Sequence, residues 1–172
     1  MRRALILMAM ICSTLAISGC TQTGNNTLSE STGVPVAEVP EIAYRVSVAS
    51  GTIDSIEYKG LNLSMNQCLY IFARAIVMLD SNDKGNIPVR EYGNPESPDG
   101  RLSSATLTRA EYVDMAGRTY RWMDQNGRVP NHVGIRQEGA GDLSPDILLR
   151  AFVRVLTEYR STGKLPDRVT VS

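Results

Sequence analysis

The chain is short of cysteine, aromatic residues and histidine, and neither sign of charge is in excess. Its 172 residues include 3 cysteines, 1 tryptophan and 1 histidine, and 18 basic side chains balance 18 acidic ones. Because no segment concentrates the basic residues into a patch, nucleic-acid binding has little electrostatic support. A catalytic centre of the cysteine–histidine type would have a single candidate histidine.

The apolar run near the N-terminus is too short to span a membrane. Residues 4–16 are apolar and follow Arg2 and Arg3, a pattern typical of a signal peptide. The run ends at residues 17–20, Ile-Ser-Gly-Cys, which resembles a lipobox. We therefore predict a signal peptide over 1–19 and lipidation of Cys20, which would anchor an exported protein to the outer face of the cytoplasmic membrane or the cell wall. Plain secretory cleavage, with an incidental cysteine, is the alternative.

Residues 20–38 follow the predicted cleavage site and begin with a tract of Ser, Thr, Asn and Gly. The tract includes a glycosylation sequon at Asn25. It holds too little apolar surface to repay the entropy of ordering. The composition therefore predicts a flexible tether.

One sequence unit then recurs three times. Its copies begin with Leu-[Ser/Thr] at Leu63, Leu107 and Leu143, and each ends in Gly-x-aliphatic-Pro. The distance from Leu to Gly is 20 residues in the second and third copies and 22 in the first. The repeat signature residues are Gly85, Pro88, Gly127, Pro130, Gly163 and Pro166. Recurring units of this kind usually present an extended surface to a polymer or partner, so the expected function is binding.

Each copy carries the pattern of an amphipathic helix. Apolar residues recur at offsets 5, 8, 9, 12 and 16 from the leading Leu, within an arc of about 100° on a helix. Ser64, Thr108 and Ser144 are placed as N-caps, and Gln67 and Glu111 complete capping boxes. Asn126-Gly127 is placed to cap the C-terminus of the second helix in the left-handed conformation, and the proline of each ending prevents the helix from continuing.

The residues before the first copy predict short strands. Runs 42–48 and 52–58 have β-type composition and are compatible with a hairpin. Val39-Pro40 also matches the aliphatic-Pro ending, so a partial copy can begin there. The predicted fold class is mainly α, a small array of three helix-plus-extended-tail repeats with a short N-terminal β-hairpin. The predicted divisions are 39–61 for the hairpin or partial repeat, 62–92, 106–135 and 142–172 for the repeats, and 93–105 and 136–141 for loops.

The second copy, LTRAEYVDMAGRTYRWMDQNGRVPNHV (107–133), resembles the pseudomurein-binding repeat of methanogenic archaea. The resemblance rests on its Tyr-x-Asp-x-Ala-x-Arg helix and its Asn-Gly-Arg-Val-Pro-Asn-x-Val ending. The first copy (63–89) is similar to a form of the repeat with a longer glycine loop, and the third (143–169) is the most diverged. The resemblance implies attachment to pseudomurein, a cross-linked wall polymer of N-acetyltalosaminuronic acid and N-acetylglucosamine.

Two basic columns recur across the copies and are candidates for binding an anionic wall polymer. At offset 11 stand Arg74, Arg118 and Arg154. Two residues past each proline stand Arg90, His132 and Arg168. Arginine can donate two parallel hydrogen bonds to a carboxylate, and Trp122 could stack on a sugar face. The alternatives are local ion pairing, as between Arg118 and Asp114, and a tryptophan that closes a junction between repeats.

An enzymatic alternative rests on Cys68 and His132. If Cys12 leaves with the signal peptide and Cys20 is lipidated, Cys68 is the remaining thiol, and an intramolecular disulfide is excluded. However, Cys68 occupies an offset that is apolar or aromatic in the other copies, which indicates a core residue. An EF-hand-like match at 80–91 has Lys84 where a calcium ligand is needed. We predict neither catalysis nor a metal or cofactor.

These observations predict an exported, non-catalytic lipoprotein that attaches to pseudomurein through three repeats. The alternative is a surface lipoprotein whose repeats bind or scaffold a protein partner, such as a wall peptidase. No nucleic-acid partner is predicted.

Overall fold

The computed structural model describes residues 33–50 and 53–172. The predicted signal peptide, Cys20, Asn25 and most of the predicted tether lie outside the described residues. Four α-helices are found in this part of the chain: α1 (Val39–Val48), α2 (Met65–Asp80), α3 (Arg109–Asn126) and α4 (Pro145–Thr162). None of these helices is long and apolar enough to cross a membrane.

Eight short strands accompany the helices in the described ranges. They are β1 (Val34–Pro35), β2 (Ser55–Tyr58), β3 (Leu61–Ser64), β4 (Asn86–Ile87), β5 (Ala105–Thr108), β6 (Val133–Gly134), β7 (Asp142–Leu143) and β8 (Arg168–Val171). They pair antiparallel, two at a time, as β1 with β4, β2 with β3, β5 with β8 and β6 with β7.

The predicted starts of α2 and α3 are confirmed. The Ser64 hydroxyl accepts a hydrogen bond from the Gln67 backbone, and the Gln67 side chain accepts one from the Ser64 backbone at 2.8 Å. Thr108 and Glu111 form the same capping box. Ser144 stands at the N-cap of α4, but its hydroxyl donates to Asp146 Oδ1 at 2.5 Å instead of capping the backbone.

The helix ends differ between the copies. Gly127 and Gly163 cap α3 and α4 in the left-handed conformation, with φ of 67° and 70°. A residue with a Cβ would be strained there. In the first copy α2 ends at Asp80, and the residue with positive φ is Asn82, so Gly85 does not cap the helix. The longer spacing in that copy is therefore a longer loop.

The core is centred on α2. Ten of its sixteen residues are buried, around most of its circumference, and it packs against α1, α3 and α4. The faces predicted for α3 and α4 are buried as well, with only Tyr159 partly exposed. A helix that is apolar on nearly every side needs cover from several directions, and three neighbouring helices provide it.

The prediction of a mainly α array of three repeats is wrong, because the fold is a mixed α/β one with small antiparallel sheets. The strand that enters α3 pairs with the strand that follows α4, and the strand that follows α3 pairs with the strand that enters α4. In addition, α1 packs against α4, so the first and last helices of the described chain are in contact. The extended tails pair in this way because their backbone groups need hydrogen-bond partners that a helical array does not supply.

The predicted N-terminal strand is also wrong. Residues 42–48 belong to α1, and Val39-Pro40 forms its first turn, where proline is tolerated. Val39, Ile42, Ala43 and Val46 share one face at helical spacing, and the first three are fully buried. The hairpin lies later in the chain, between β2 and β3. Its turn residues, Lys59 and Gly60, both have positive φ, as a tight two-residue turn requires.

Candidate functional site

A groove lies along the C-terminal half of α3 and the segment that follows it. A recess of about 470 Å³ is lined by residues between 118 and 125 of α3 and between 130 and 134 of the tail. A second recess of about 200 Å³ shares Trp122, Pro130 and His132 with the first and adds Arg128 and Asn131. We call the two adjoining recesses the α3 groove.

Gly127 positions the tail that forms one wall of the groove. Its left-handed conformation reverses the chain, and Val129 and Pro130 are buried after it. The Gly93 backbone donates to Gly127 O at 2.9 Å, and the Val129 backbone donates to Gly93 O at 3.0 Å. The tail then pairs with β7 through Val133. These contacts hold the Pro130 wall against α3.

A long connection, residues 88–104, crosses the tail and is held by Asn131. The side-chain oxygen of Asn131 accepts a hydrogen bond from the Ser97 backbone N–H at 3.0 Å. The backbone carbonyl of Asn131 accepts one from the Asp99 backbone N–H at 3.1 Å. Gly100 approaches the start of α4 so closely that a Cβ would lie 2.3 Å from the Ser144 nitrogen. The connection is therefore held against the tail that follows α3 and against the start of α4.

His132 lines both recesses and contacts that connection. Its Nδ1 lies 2.6 Å from Asp99 Oδ1, and its Nε2 lies 4.0 Å from Asp142 Oδ2. The side chain is 46% exposed. The hydrogen bond with Asp99 raises the pKa of His132 above its usual value, because the carboxylate stabilises the imidazolium. The imidazole therefore holds a proton more readily than a free histidine.

Arg118 lines the groove but is committed to local contacts. Its Nε and Nη2 each lie 2.8 Å from Asp114 Oδ2, and Nη2 also donates to the Gly134 carbonyl at 2.6 Å. These contacts match the local ion pair considered from the sequence. They also fasten α3 to β6, since Gly134 belongs to that strand.

The arginines of the first copy lie outside the α3 groove. Arg74 Nη1 lies 3.6 Å from Asp124 Oδ2, and Arg90 Nη1 lies 3.2 Å from Asp124 Oδ1. Tyr70 and Tyr92 also donate to this carboxylate, at 2.9 and 3.4 Å. Asp124 of α3 therefore holds side chains of α2 and of the 88–104 connection, through ion pairs with Arg74 and Arg90 and hydrogen bonds from Tyr70 and Tyr92.

The arginines of the third copy lie elsewhere again. Arg154 lines an apolar recess of about 620 Å³ between α1 and α4, together with Val46, Leu149 and Val153. Arg168 is exposed at the start of β8. Of the seven side chains considered from the sequence, the structure thus brings Arg118, Trp122 and His132 into one groove and distributes the other four.

Four polar groove residues that are at least partly exposed were not predicted from the sequence: Arg121, Gln125, Arg128 and Asn131. Arg121 is exposed, with its guanidinium carbon 5.3 Å from the Tyr120 ring centre. Arg128 forms an ion pair with Glu96, and its guanidinium carbon lies 5.7 Å from the Trp122 ring centre. These residues do not recur as basic columns in the copies. Their proximity in sequence to Trp122 was the signal that could have identified them.

The thiol of Cys68 is not available as a nucleophile. Its side chain is fully buried in α2, and burial raises the pKa of the thiol to about 12. His132 is half exposed and hydrogen-bonded to Asp99. At the EF-hand-like match, residues 88–92 are not helical, although a calcium site of that type needs an exiting helix there. In the described ranges, no three His, Cys, Asp or Glu side chains are grouped to hold a metal.

Comparison with known families gives a match to a family of binding repeats. Residues 103–135 match the sequence profile of the pseudomurein-binding repeat. This finding supports the resemblance for the second copy, and the matched range includes neither the first nor the third. The family is one of binding repeats, which is consistent with a non-catalytic role and with a place at the cell surface. No curated protein and no solved structure gave a match.

Proposed function

We propose that the protein binds pseudomurein through the α3 groove, as a non-catalytic component of the cell surface. The observation that carries this proposal is a coincidence of position. Every residue that lines the groove lies between 118 and 134, inside the range 103–135 that matches the pseudomurein-binding repeat. The same segment thus supplies both the family likeness and a concave surface.

The chemistry of the groove suits an acidic glycan polymer. Trp122 offers an aromatic surface against which a sugar ring can pack. Arg121 and Gln125 offer hydrogen-bond donors on the same side of α3. Neither recess has an acidic residue among the described residues that line it. Anionic groups therefore meet no lining carboxylate that would repel them.

We assign binding to the second copy alone. At the position of Trp122, the first copy has Met78 and the third has Glu158. Met78 is buried in the core and Glu158 carries a negative charge, so neither can replace the tryptophan. Binding through all three copies, as expected from the sequence, is the alternative, and separate substitutions in each copy can distinguish the two.

Anchoring through a lipid on Cys20 is a further part of the proposal. It is supported by the signal-like run at 4–16 and the lipobox-like residues that follow. Wild-type protein should partition with membranes or detergent, and Cys20→Ser should be released into the soluble fraction. Recovery of wild type in soluble form, with an unmodified cysteine, would rule the anchor out.

Sedimentation with purified pseudomurein sacculi tests the binding function. Chain 21–172, which lacks the proposed anchor and keeps β1, should sediment with the sacculi and release no soluble wall fragments. Trp122→Ala should weaken binding by roughly tenfold, as loss of a central interface aromatic does. Tyr44→Ala is the matched control, because Tyr44 is a partly exposed aromatic of α1.

Two results would contradict the proposal. One is wild-type protein that stays in the supernatant, which would instead favour the protein-partner alternative. The other is equal sedimentation with pseudomurein, bacterial murein and chitin, which would indicate unspecific adhesion. Melting curves of each variant should be recorded, so that loss of binding is separated from loss of folding.

A further inference from the structure

We propose that Arg121 is the residue of the α3 groove that binds a carboxylate of the wall polymer, and that Gly117 and Tyr120 hold it in position. This inference rests on the proposed function. It assigns the anion-binding role to a side chain outside both basic columns that recur in the sequence.

The charges of the groove single out Arg121. Four basic side chains line the two recesses, and three already have a carboxylate partner: Arg118 with Asp114, Arg128 with Glu96, and His132 with Asp99. Arg121 forms no ion pair with any described residue. Among the described residues, its guanidinium forms one hydrogen bond, from Nη1 to the Tyr120 hydroxyl at 3.4 Å. A guanidinium has five N–H donors, so most of those of Arg121 are free for a ligand.

Gly117 makes room for this guanidinium. It lies one helical turn before Arg121, on the side toward which helical side chains point. A Cβ at position 117 would lie 2.8 Å from Nη2 of Arg121. Among the described residues, the three atoms nearest to that Cβ all belong to the Arg121 guanidinium. Glycine within a helix lowers its stability relative to alanine. A glycine here is thus explained by the space that the arginine needs.

Tyr120 completes the support. Its ring centre lies 5.3 Å from the guanidinium carbon of Arg121 and 5.4 Å from that of Arg74. Arg74 is itself held by Asp124 and the Tyr70 hydroxyl. The ring therefore has a fixed neighbour on α2, and Arg121 stacks on a surface that is already ordered. An arginine ordered before binding loses less conformational entropy when it takes up a ligand.

A guanidinium oriented in this way can donate two parallel N–H groups to the two oxygens of a carboxylate. Trp122 and Gln125 line the same recess, so a carboxylate held by Arg121 would place the adjoining part of the polymer against them. The carboxylate can belong to an acidic sugar or to a peptide of the same polymer. The two sources offer the same chemistry to Arg121.

Carboxyl modification of the ligand tests this inference. Binding of wild type, Arg121→Gln and Gly117→Ala should be measured on native sacculi and on sacculi whose carboxyl groups have been amidated. Arg121→Gln should bind native sacculi roughly tenfold more weakly, the loss expected for one charge-assisted contact. Amidation should weaken wild type by a similar factor and leave Arg121→Gln unchanged. Arg150→Gln, which removes an exposed arginine of α4, is the control.

Gly117→Ala tests the position of the Arg121 guanidinium without removing its charge. It keeps the arginine, and the displaced guanidinium is the far end of a flexible side chain. Melting should therefore be unchanged or raised while binding to native sacculi falls. Displacement by a glucuronate-containing oligosaccharide would identify a sugar carboxylate, and displacement by an acidic tripeptide would identify a peptide one.

The outcomes distinguish the two proposals. Wild type that fails to bind native sacculi contradicts the proposed function. Wild type that binds native and amidated sacculi equally, or Arg121→Gln that binds native sacculi as wild type does, overturns the role of Arg121 alone. Displacement by neither competitor would overturn it as well.

Discussion

Tyr112 of α3 donates a hydrogen bond of 2.7 Å from its hydroxyl to the carbonyl oxygen of Pro166, which follows α4. Both residues are buried, and burial raises the pKa of the Tyr112 phenol to about 12, so the hydroxyl keeps its proton. Pro166 belongs to the ending of the third copy. The ending of one copy thus completes the packing around the helix of another.

Tyr112→Phe should lower the free energy of unfolding by about 1–3 kcal/mol. The substitution keeps the ring and leaves the Pro166 carbonyl buried without its donor. Denaturant unfolding followed by circular dichroism measures the change. Tyr44→Phe removes a hydroxyl from a partly exposed ring and should change stability little. Equal stability of wild type and Tyr112→Phe would show that the contact contributes nothing.

Phe152→Ala should destabilise the fold by about 3–5 kcal/mol, the usual cost of removing a phenyl ring from a core. Phe152 is fully buried in α4, the helix that packs on both α1 and α2. The same unfolding experiment applies. The control is Val48→Ala, since Val48 is 58% exposed at the end of α1 and should cost well under 1 kcal/mol. If Phe152→Ala were as stable as Val48→Ala, the Phe152 ring would not be packed in the core.

The pair of His132 and Asp99 predicts a pH-dependent contribution to stability. Because the folded-state pKa of His132 is raised, this contribution is fully present below the unfolded-state pKa and is lost as the pH rises through the folded-state pKa. The stability difference between wild type and His132→Gln should therefore shrink from mildly acidic to mildly alkaline pH.

Titration of the imidazole by NMR provides an independent measurement of the same pair. Asp99→Asn should return the pKa of His132 toward its ordinary value, because the hydrogen bond with Asp99 is the largest cause of the shift. An unchanged titration in that variant would exclude Asp99 as the cause.

Cys68 should resist thiol reagents in the native state. Chain 21–172 contains this cysteine alone, and burial raises the pKa of its thiol to about 12. At mildly alkaline pH, a chromogenic disulfide reagent should react with it only as fast as the protein unfolds. Addition of denaturant should then release one equivalent at once. Fast labelling of the native protein would show that the thiol is accessible after all.

Sequence patterns identified the helices best where the signals act over short distances. The capping boxes at Ser64 and Thr108 join residues three positions apart, so the sequence alone contains both partners. Gly127 and Gly163 end their helices because glycine tolerates a positive φ, which is likewise a local property. The spacing of apolar residues then located the faces of α3 and α4 that are buried.

Candidate site residues were only partly predictable. Trp122, Arg118 and His132 were found from residue type and recurrence, and they do share one groove. Arg121 was missed because recurrence among copies says nothing about a residue that only one copy possesses. Its position depends on the absence of a Cβ at Gly117 and on the ring of Tyr120.

Tertiary contacts decided what short-range signals could not. Residues 42–48 have β-type composition, yet they form a helix because one face of that helix is buried against α4, far along the chain. The strand after α4 pairs with the strand before α3 because the fold brings the two together, and backbone groups that stayed unpaired there would cost free energy. The tertiary structure likewise decides which arginine is held by a carboxylate and which forms no ion pair with a described residue. Asp124, Glu96 and Gly134 reach their arginines only once the chain has folded, so the sequence by itself supplied the residue types and the structure alone assigned their partners.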